Sequence, residues 1–285
     1  RSSVLENLDR WWMQQKLPAD PAAADFPFRG GWFIYLGYEL VGQIEPVLKL
    51  PGSGSTHQYE LPCATAVRCP AAIIRDHKYG CTYLLVETGN EHLLDELEKD
   101  YGLLQTCTNK YETRIAISHI VDDDPRHYIT DVQTIKRYII EGDVFQVNLS
   151  RKWEAELSSD VDADTLYHQL RTHNAAPFAG IATLSNVSII SSSPERLVKV
   201  SNKRIETRPI AGTRPRGSGA VHDQDLSDEL LAHPKEQAEH IMLIDLERND
   251  LGRVCVAGSI EVNELMKLES HAHVHHIVSN VQGTL

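Results

Sequence analysis

Glu236, Glu239 and His240 stand at i, i+3 and i+4 of a stretch that opens at Pro234 and closes at Gly252. On a helix this spacing puts all three on one face. Two carboxylates one turn apart repel unless a cation or a proton lies between them, and oxygen donors of this kind suit a hard divalent ion such as Mg²⁺. A solvated acidic face near a helix N-terminus, where the dipole favours Glu, gives the same pattern. Glu195 follows the polar turn Ser191-Ser192-Ser193-Pro194 at the end of an apolar run. A carboxylate held there and partly desolvated can serve as a general acid, although most such glutamates are plain surface residues. Residues 207–217 (TRPIAGTRPRG) gather arginines around Pro and Gly. Glycine lets backbone amides approach a ligand and Arg suits carboxylates; a basic turn without a ligand fits as well. Gln146 is neutral, so it can orient a ligand but cannot act as a base.

Other reactive side chains point nowhere definite. Cys63, Cys69, Cys81, Cys107 and Cys255 are odd in number and lack C-x-x-C spacing. Reduced, buried thiols are the simplest reading. His271, His273, His275 and His276 cluster. Their alternation suggests a strand that splits them between two faces, and no further ligands stand at zinc spacing.

The elements that must position these groups are readable in part. Trp32 to Leu40 is aromatic and apolar and suits a buried strand. Asp124 caps a helix with Pro125 in its first turn, Tyr128, Val132, Ile135 and Ile139 give its apolar stripe, and Gly142 stops it. From Val144 the period changes to two: Phe145, Val147 and Leu149 alternate with Gln146, Asn148 and Ser150, which predicts a strand with one polar face. Val187 to Ser192, Leu197 to Val200 and Arg204 to Thr207 read as further strands in hairpin order. Pro234 to Leu251 reads as a long helix. Pro51 to His57 reads as an exposed loop and Gly212 to Asp225 as a flexible stretch. Strands in adjacent runs with helices between the groups predict an α+β fold with largely antiparallel sheet.

Composition narrows the function. The chain has 285 residues, with 28 Lys+Arg against 40 Asp+Glu and a formal charge of −12. Nucleic-acid and anionic-membrane binding need clustered positive charge, so neither is expected. No apolar stretch approaches the roughly 20 residues of a membrane helix, and no secretory leader opens the chain. A cytoplasmic location is expected. The first residue is Arg, so the natural start is expected to lie upstream.

Six segments in order carry a family resemblance: 142–150 (GDVFQVNLS), 193–196 (SPER), 208–216 (RPIAGTRPR), 235–240 (KEQAEH), 245–253 (DLERNDLGR) and 274–279 (VHHIVS). The sequence resembles the component I subunits of the chorismate-utilising enzymes. These comprise anthranilate synthase, 4-amino-4-deoxychorismate synthase (the PabB type), isochorismate synthase and salicylate synthase. The resemblance implies two packed, largely antiparallel sheets flanked by helices. It also implies one chorismate-binding-type domain, with an N-terminal subdomain over 1–120 and the first part of the catalytic core over 121–285. In the family the chain continues beyond the point matching Leu285 through further substrate- and Mg²⁺-binding elements. The C-terminal part is therefore expected to be absent here, and this chain alone to be inactive.

Carried over by position, the resemblance implies that Glu239 binds the Mg²⁺ that grips the ring carboxylate of chorismate, with Glu236 nearby. Glu195 becomes the general acid for the departing C4 hydroxyl, His276 lines the pocket beside the ring, and Gly212 and Thr213 contact substrate. Isochorismate and salicylate synthases carry a water-activating lysine at the position of Gln146. Glutamine implies an ammonia user fed by a glutamine amidotransferase subunit of the PabA/TrpG type.

Ala211 stands where the PabB type usually has a lysine that attacks the ring, and anthranilate synthases have Ala there. Three other features are PabB-like: residues 30–39 (GGWFIYLGYE), residues 174–180 (NAAPFAG) and His275. On balance they imply an aminodeoxychorismate synthase component I that works without a lysine adduct. Anthranilate synthase component I is the alternative, and a binding-only homologue is the non-enzymatic one.

Overall fold

Ser3 and Glu6 set the first helix. The Ser3 hydroxyl accepts the Glu6 N–H at 3.1 Å and the Glu6 carboxylate accepts the Ser3 N–H at 2.9 Å. This reciprocal cap satisfies two donors that α1 (Val4–Gln15) would otherwise leave open. The computed structural model describes residues 3–18, 26–45, 47–48, 61–106, 115–158 and 161–285. The predicted loop from Pro51 to His57 and Cys107 lie outside the described residues. The chain divides into two units, Arg1–Lys110 and Tyr111–Leu285.

In the first unit β1 (Gly31–Leu36) is followed by a 3₁₀ turn (Tyr38–Leu40) and the short α2 (Val41–Ile44). β2 (Ala64–Cys69) pairs antiparallel with β1, β3 (Ala71–Asp76) forms a hairpin with β4 (Cys81–Val86), and α3 (Leu93–Thr106) follows. The Arg68 guanidinium lies 4.5 Å from the Trp32 ring centroid and pairs with Glu87, while Trp11 meets Trp32 edge-on at 5.6 Å. The single buried strand predicted over Trp32 to Leu40 is corrected. The ladder ends at Leu36, the Gly37 N–H turns to the Cys63 carbonyl at 2.7 Å, and Phe33, Ile34 and Leu36 stay exposed. Apolar content foretold the strand but not which face is covered.

The second unit begins with β5 (Ile117–Asp122), α4 (Pro125–Glu141), β6 (Trp153–Leu157) and α5 (Ala163–His173). α4 follows its sequence signals closely: Asp124 accepts the Arg126 N–H at 2.9 Å, Pro125 opens the helix, and Gly142 at φ 82° closes it. The strand predicted from Val144 to Ser150 is absent. That segment has no regular secondary structure and lies beside α4, where Val147 and Leu149 face Tyr128, Val132 and Ile135 across a cavity of about 570 Å³. Its alternation forms neither a ladder nor a covered face, since Phe145 and Val147 stay exposed. Strand pairing resumes at β6, antiparallel to β5.

β7 (Phe178–Leu184) and β8 (Val187–Ser193) make a hairpin, as do β9 (Lys199–Ser201) and β10 (Arg204–Thr207). The predicted hairpin order is therefore corrected at its first step, since β8 pairs back to β7 and not forward to β9. β11 (Ile210–Pro215), α6 (Ala220–Ala232), α7 (Pro234–Gly252), β12 (Glu261–Ser270) and β13 (Val274–Thr284) complete the chain. The stretch read as flexible from Gly212 to Asp225 is the end of β11 and the start of α6. Its glycines serve a bulge and a helix entry. Every ladder among the described residues is antiparallel, in one five-stranded sheet and four two-stranded pairs. This is the α+β class expected.

β13 is the axis of the five-stranded sheet. β11 and then β10 pair along one edge, and β12 pairs along the other. His240, Ile244 and Leu251 form the buried stripe of α7, and Ile244 and Leu251 join Ile205 and Val281 in one apolar cluster. Gly283 is required by close approach, because a Cβ there would lie 2.6 Å from Cys255 Sγ.

Ser279, fully buried in β13, ties three elements. Its hydroxyl oxygen accepts the Met266 N–H of the bulged β12 at 2.9 Å and lies 2.6 Å from His240 Nε2 on α7. Ser279→Ala deletes one oxygen yet leaves two buried polar groups without partners. We expect a loss of about 2–4 kcal/mol in denaturant unfolding, and a loss under about 0.5 kcal/mol would contradict this role.

Candidate functional site

Glu195 is placed by a turn and by a strand. Ser193 Oγ accepts the Glu195 N–H at 3.3 Å and donates to the Glu195 carbonyl at 2.8 Å, which folds the chain just after β8. The Glu195 carboxylate then accepts the Ile210 N–H at 3.0 Å, at the first residue of β11. Desolvation pushes its carboxyl above the ordinary value, and the Ile210 N–H opposes this only in part. A carboxyl with a raised pKa keeps its proton more readily, which an acid catalyst needs.

β11 carries the next group. Ala211 is buried opposite Ile277. The ladder slips at Gly212, whose φ of 79° lies in the left-handed region. Thr213 then returns to register opposite His276, its Oγ1 3.0 Å from His276 Nδ1. Burial lowers the His276 pKa, helped by His271, so the ring is neutral near pH 7. The strand expected to carry all four histidines is corrected: His271 and His273 lie in the connection between β12 and β13, and β13 separates only His275 from His276. His276 faces Thr213, while His275 reaches Asp223 Oδ1 at 3.0 Å and Ser270 Oγ at 2.8 Å.

α7 supplies the acidic face. A Cβ on Gly212 would fall 3.2 Å from Glu236 Oε2, so the bulge and Glu236 are neighbours. Glu236 lies 3.6 Å from Arg214, and Glu239 lies 3.5 Å from Lys235. Gln146 Nε2 donates to Glu239 Oε1 at 2.9 Å. The structure thus brings Gly212, Thr213, His276 and Glu236 together around β11, and joins Gln146 to Glu239. Gln146 gets there from an irregular segment, not from the polar face of a strand. Ala211 points into the packed sheet, and Glu195 sits at the start of the same strand.

Among the described residues no three His, Cys, Asp or Glu side chains converge as a metal cluster. Glu236 and Glu239 are the oxygen donors on offer. That fits Mg²⁺ in kind, because this ion keeps several waters and takes one or two carboxylates. The arginines of 207–217 are engaged within the chain: Arg208 by Glu264 and Glu269, Arg214 by Glu229 and Glu236, Arg216 by Asp223. Of the two readings the sequence left open for these arginines, the internal pairs favour a structural one.

With this geometry in place, comparison with known proteins is decisive. A family model described as chorismate binding enzyme matches residues 2–285. The chain belongs to the chorismate binding enzyme family. Within this family it is 39% identical over 259 residues to an anthranilate synthase component I-like protein of Synechocystis, covering 91% of this chain and 52% of that one. It is 38% identical over 270 residues to the aminodeoxychorismate synthase component 1 of Bacillus subtilis, covering 92% and 56%. The crystal structure of anthranilate synthase component I from Streptococcus pneumoniae superposes with a TM-score of 0.81 at 26% identity, over 98% of this chain and 62% of that one. The chain spans about half the length of these curated relatives.

One further carboxyl of this family member escaped the sequence reading. Glu247 stands eleven residues after Glu236, on the same face of α7 by helical period. Burial raises its pKa, Thr207 opposes this, and the charges of Glu195 and Asp250 raise it further. The helical spacing from Glu236 carries the signal for this residue.

The bulge makes a sharp test. Gly212→Ala must hold an L-residue at positive φ with its methyl 3.0 Å from Leu230 Cδ1. We expect a loss of about 1–3 kcal/mol in stability. An unchanged unfolding midpoint would show that the bulge is not constrained as described.

Proposed function

We propose that this chain is the chorismate-binding portion of component I of an aminodeoxychorismate synthase, replacing the C4 hydroxyl of chorismate with ammonia. The observation that carries the reading is Glu195: its carboxylate is held by the Ile210 N–H at the first residue of β11, and although the residue as a whole is exposed, desolvation of the carboxyl raises its pKa. Hydroxide is a poor leaving group, so such a proton donor is the group the reaction most needs. The nitrogen of ammonia bonds to the ring carbon as the C4–O bond breaks. The hydroxyl leaves as water with the Glu195 proton, and the new ammonium returns a proton to that carboxylate.

Gln146 offers no base for water, which favours ammonia as the nucleophile. Ala211 carries no amine, so no lysine adduct forms at this position. His276, neutral and bonded to Thr213, borders the ring, and the Gly212 backbone lies beside it. Mg²⁺, when bound, supplies positive charge for the ring carboxylate, and Glu239 with Glu236 would hold it. The relatives' designation as one component of a synthase supports a glutamine amidotransferase partner as the ammonia source.

Anthranilate synthase component I is the second reading. It is favoured by the alanine at 211 and by relatives that bear that name. Residues 30–39 and 174–180, together with His275, favour the first.

Product analysis separates the two. The complete gene product with chorismate, Mg²⁺ and ammonium salt should yield aminodeoxychorismate that keeps its enolpyruvyl group. Anthranilate with pyruvate would establish the second reading, and no turnover would reject both. In the same assay Glu195→Gln should lower kcat by about 100-fold or more while chorismate affinity holds. Wild-type rate should fall as pH rises through the raised Glu195 pKa, and that limb should vanish in the variant. A binding-only homologue would show neither effect.

A further inference from the structure

Gln146 and Glu239 are 93 positions apart, and the bond between their side chains is 2.9 Å long. Residues 144–150 belong to no ladder, and among the described residues this bond is what ties them to another element. Val147 and Leu149 line the cavity on α4, Phe145 is exposed, and the neutral amide of Gln146 crosses to α7. Such a contact needs a reason, because Gln146 is exposed and water could serve its amide equally well.

The reason lies in the two oxygens of Glu239. Oε2 faces Lys235 Nζ at 3.5 Å, one turn away on the same helix, and that lysine is 74% exposed. An exposed i, i+4 pair of this kind is screened and holds a carboxylate only weakly. Oε1 receives the Gln146 amide from outside the helix. A glutamate has three rotatable bonds, and a donor from a separate element fixes the direction of its lone pairs. Because the donor is neutral, the full negative charge stays available to a cation. A lysine at position 146 would place an ammonium against the same oxygen and compete with the cation.

We infer that Gln146 is a positioning residue for Glu239, acting on a hard divalent cation through that carboxylate. This rests on the reading of Glu239 as a ligand for the ion. Residue 146 then acts at one remove from substrate, and its neutrality matters as much as its lack of basicity.

The test is calorimetric titration of the complete gene product with Mg²⁺ and no substrate, so the readout does not depend on turnover. Glu239→Gln should abolish binding. Gln146→Met keeps the length of the side chain but removes the donor, and should weaken Mg²⁺ affinity by about 10-fold or more. Gln146→Lys should weaken it further. Thermal unfolding should show all three folded, since Gln146 is exposed and Glu239 is only half-buried.

If Gln146→Met binds within about twofold of wild type while Glu239→Gln does not bind, Glu239 holds the ion and the positioning role is refuted. If Glu239→Gln binds like wild type, or wild type does not bind, the metal reading fails and takes this inference with it.

Discussion

β13 is buried from His275 to Gly283, and five of those nine residues are polar: His275, His276, Ser279, Asn280 and Gln282. A buried polar side chain must find a partner or cost about 1–3 kcal/mol. Each finds one on a neighbouring element, β12 above all. His275 meets Asp223 of α6 and Ser270 of β12, and His276 meets Thr213 of β11. Ser279 meets His240 of α7 and Met266 of β12, Asn280 meets Asn263, and Gln282 meets Glu261. A one-residue slip of β13 would exchange its faces and break all of them at once. Register is therefore fixed by the polar partners as well as by Ile277, Val278 and Val281.

The candidate site is a consequence of that register. Thr213 can meet His276 only because β11 skips a residue at Gly212, and the same bulge leaves room for Glu236. His240 anchors α7 to the sheet through Ser279, which fixes the rotation of the helix and so the direction of Glu239, one residue before it. His240 has no room for charge: burial depresses its pKa, and its Nδ1 has no partner among the described residues. Arg208, Arg214 and Arg216 brace β11 and its flanks against acidic side chains of α6, α7 and β12. Structure and chemistry thus share one segment, with arginines holding the strand and Gly212 and Thr213 left to the site.

Local signals were legible where one residue type has one physical use. Asp124, Pro125 and Gly142 bounded α4, and Pro234 and Gly252 bounded α7, because capping and chain reversal depend on local geometry alone. The α+β class followed from the order of the elements. The segment after Gly142 was misread because a strand needs a partner that no local pattern names. The same limit hid the pairing of β8 with β7. Within the site, the glutamates and histidines were legible as types at helical or strand spacing. The bond from Gln146 to Glu239 was not, since contacts across 93 residues leave no mark on spacing. Glu247 was legible in principle, by counting three turns along α7.

The central claim is that Glu195, His276 with Thr213, and Glu239 face one chorismate molecule. A crystal structure of the complete gene product with chorismate and Mg²⁺ tests it most directly. The account predicts the C4 oxygen within hydrogen-bonding distance of Glu195, the ring beside His276, and the cation on Glu239 with Gln146 still bonded to it. Chorismate bound with its C4 oxygen away from Glu195, or a cation that leaves Glu239 untouched, would contradict the account.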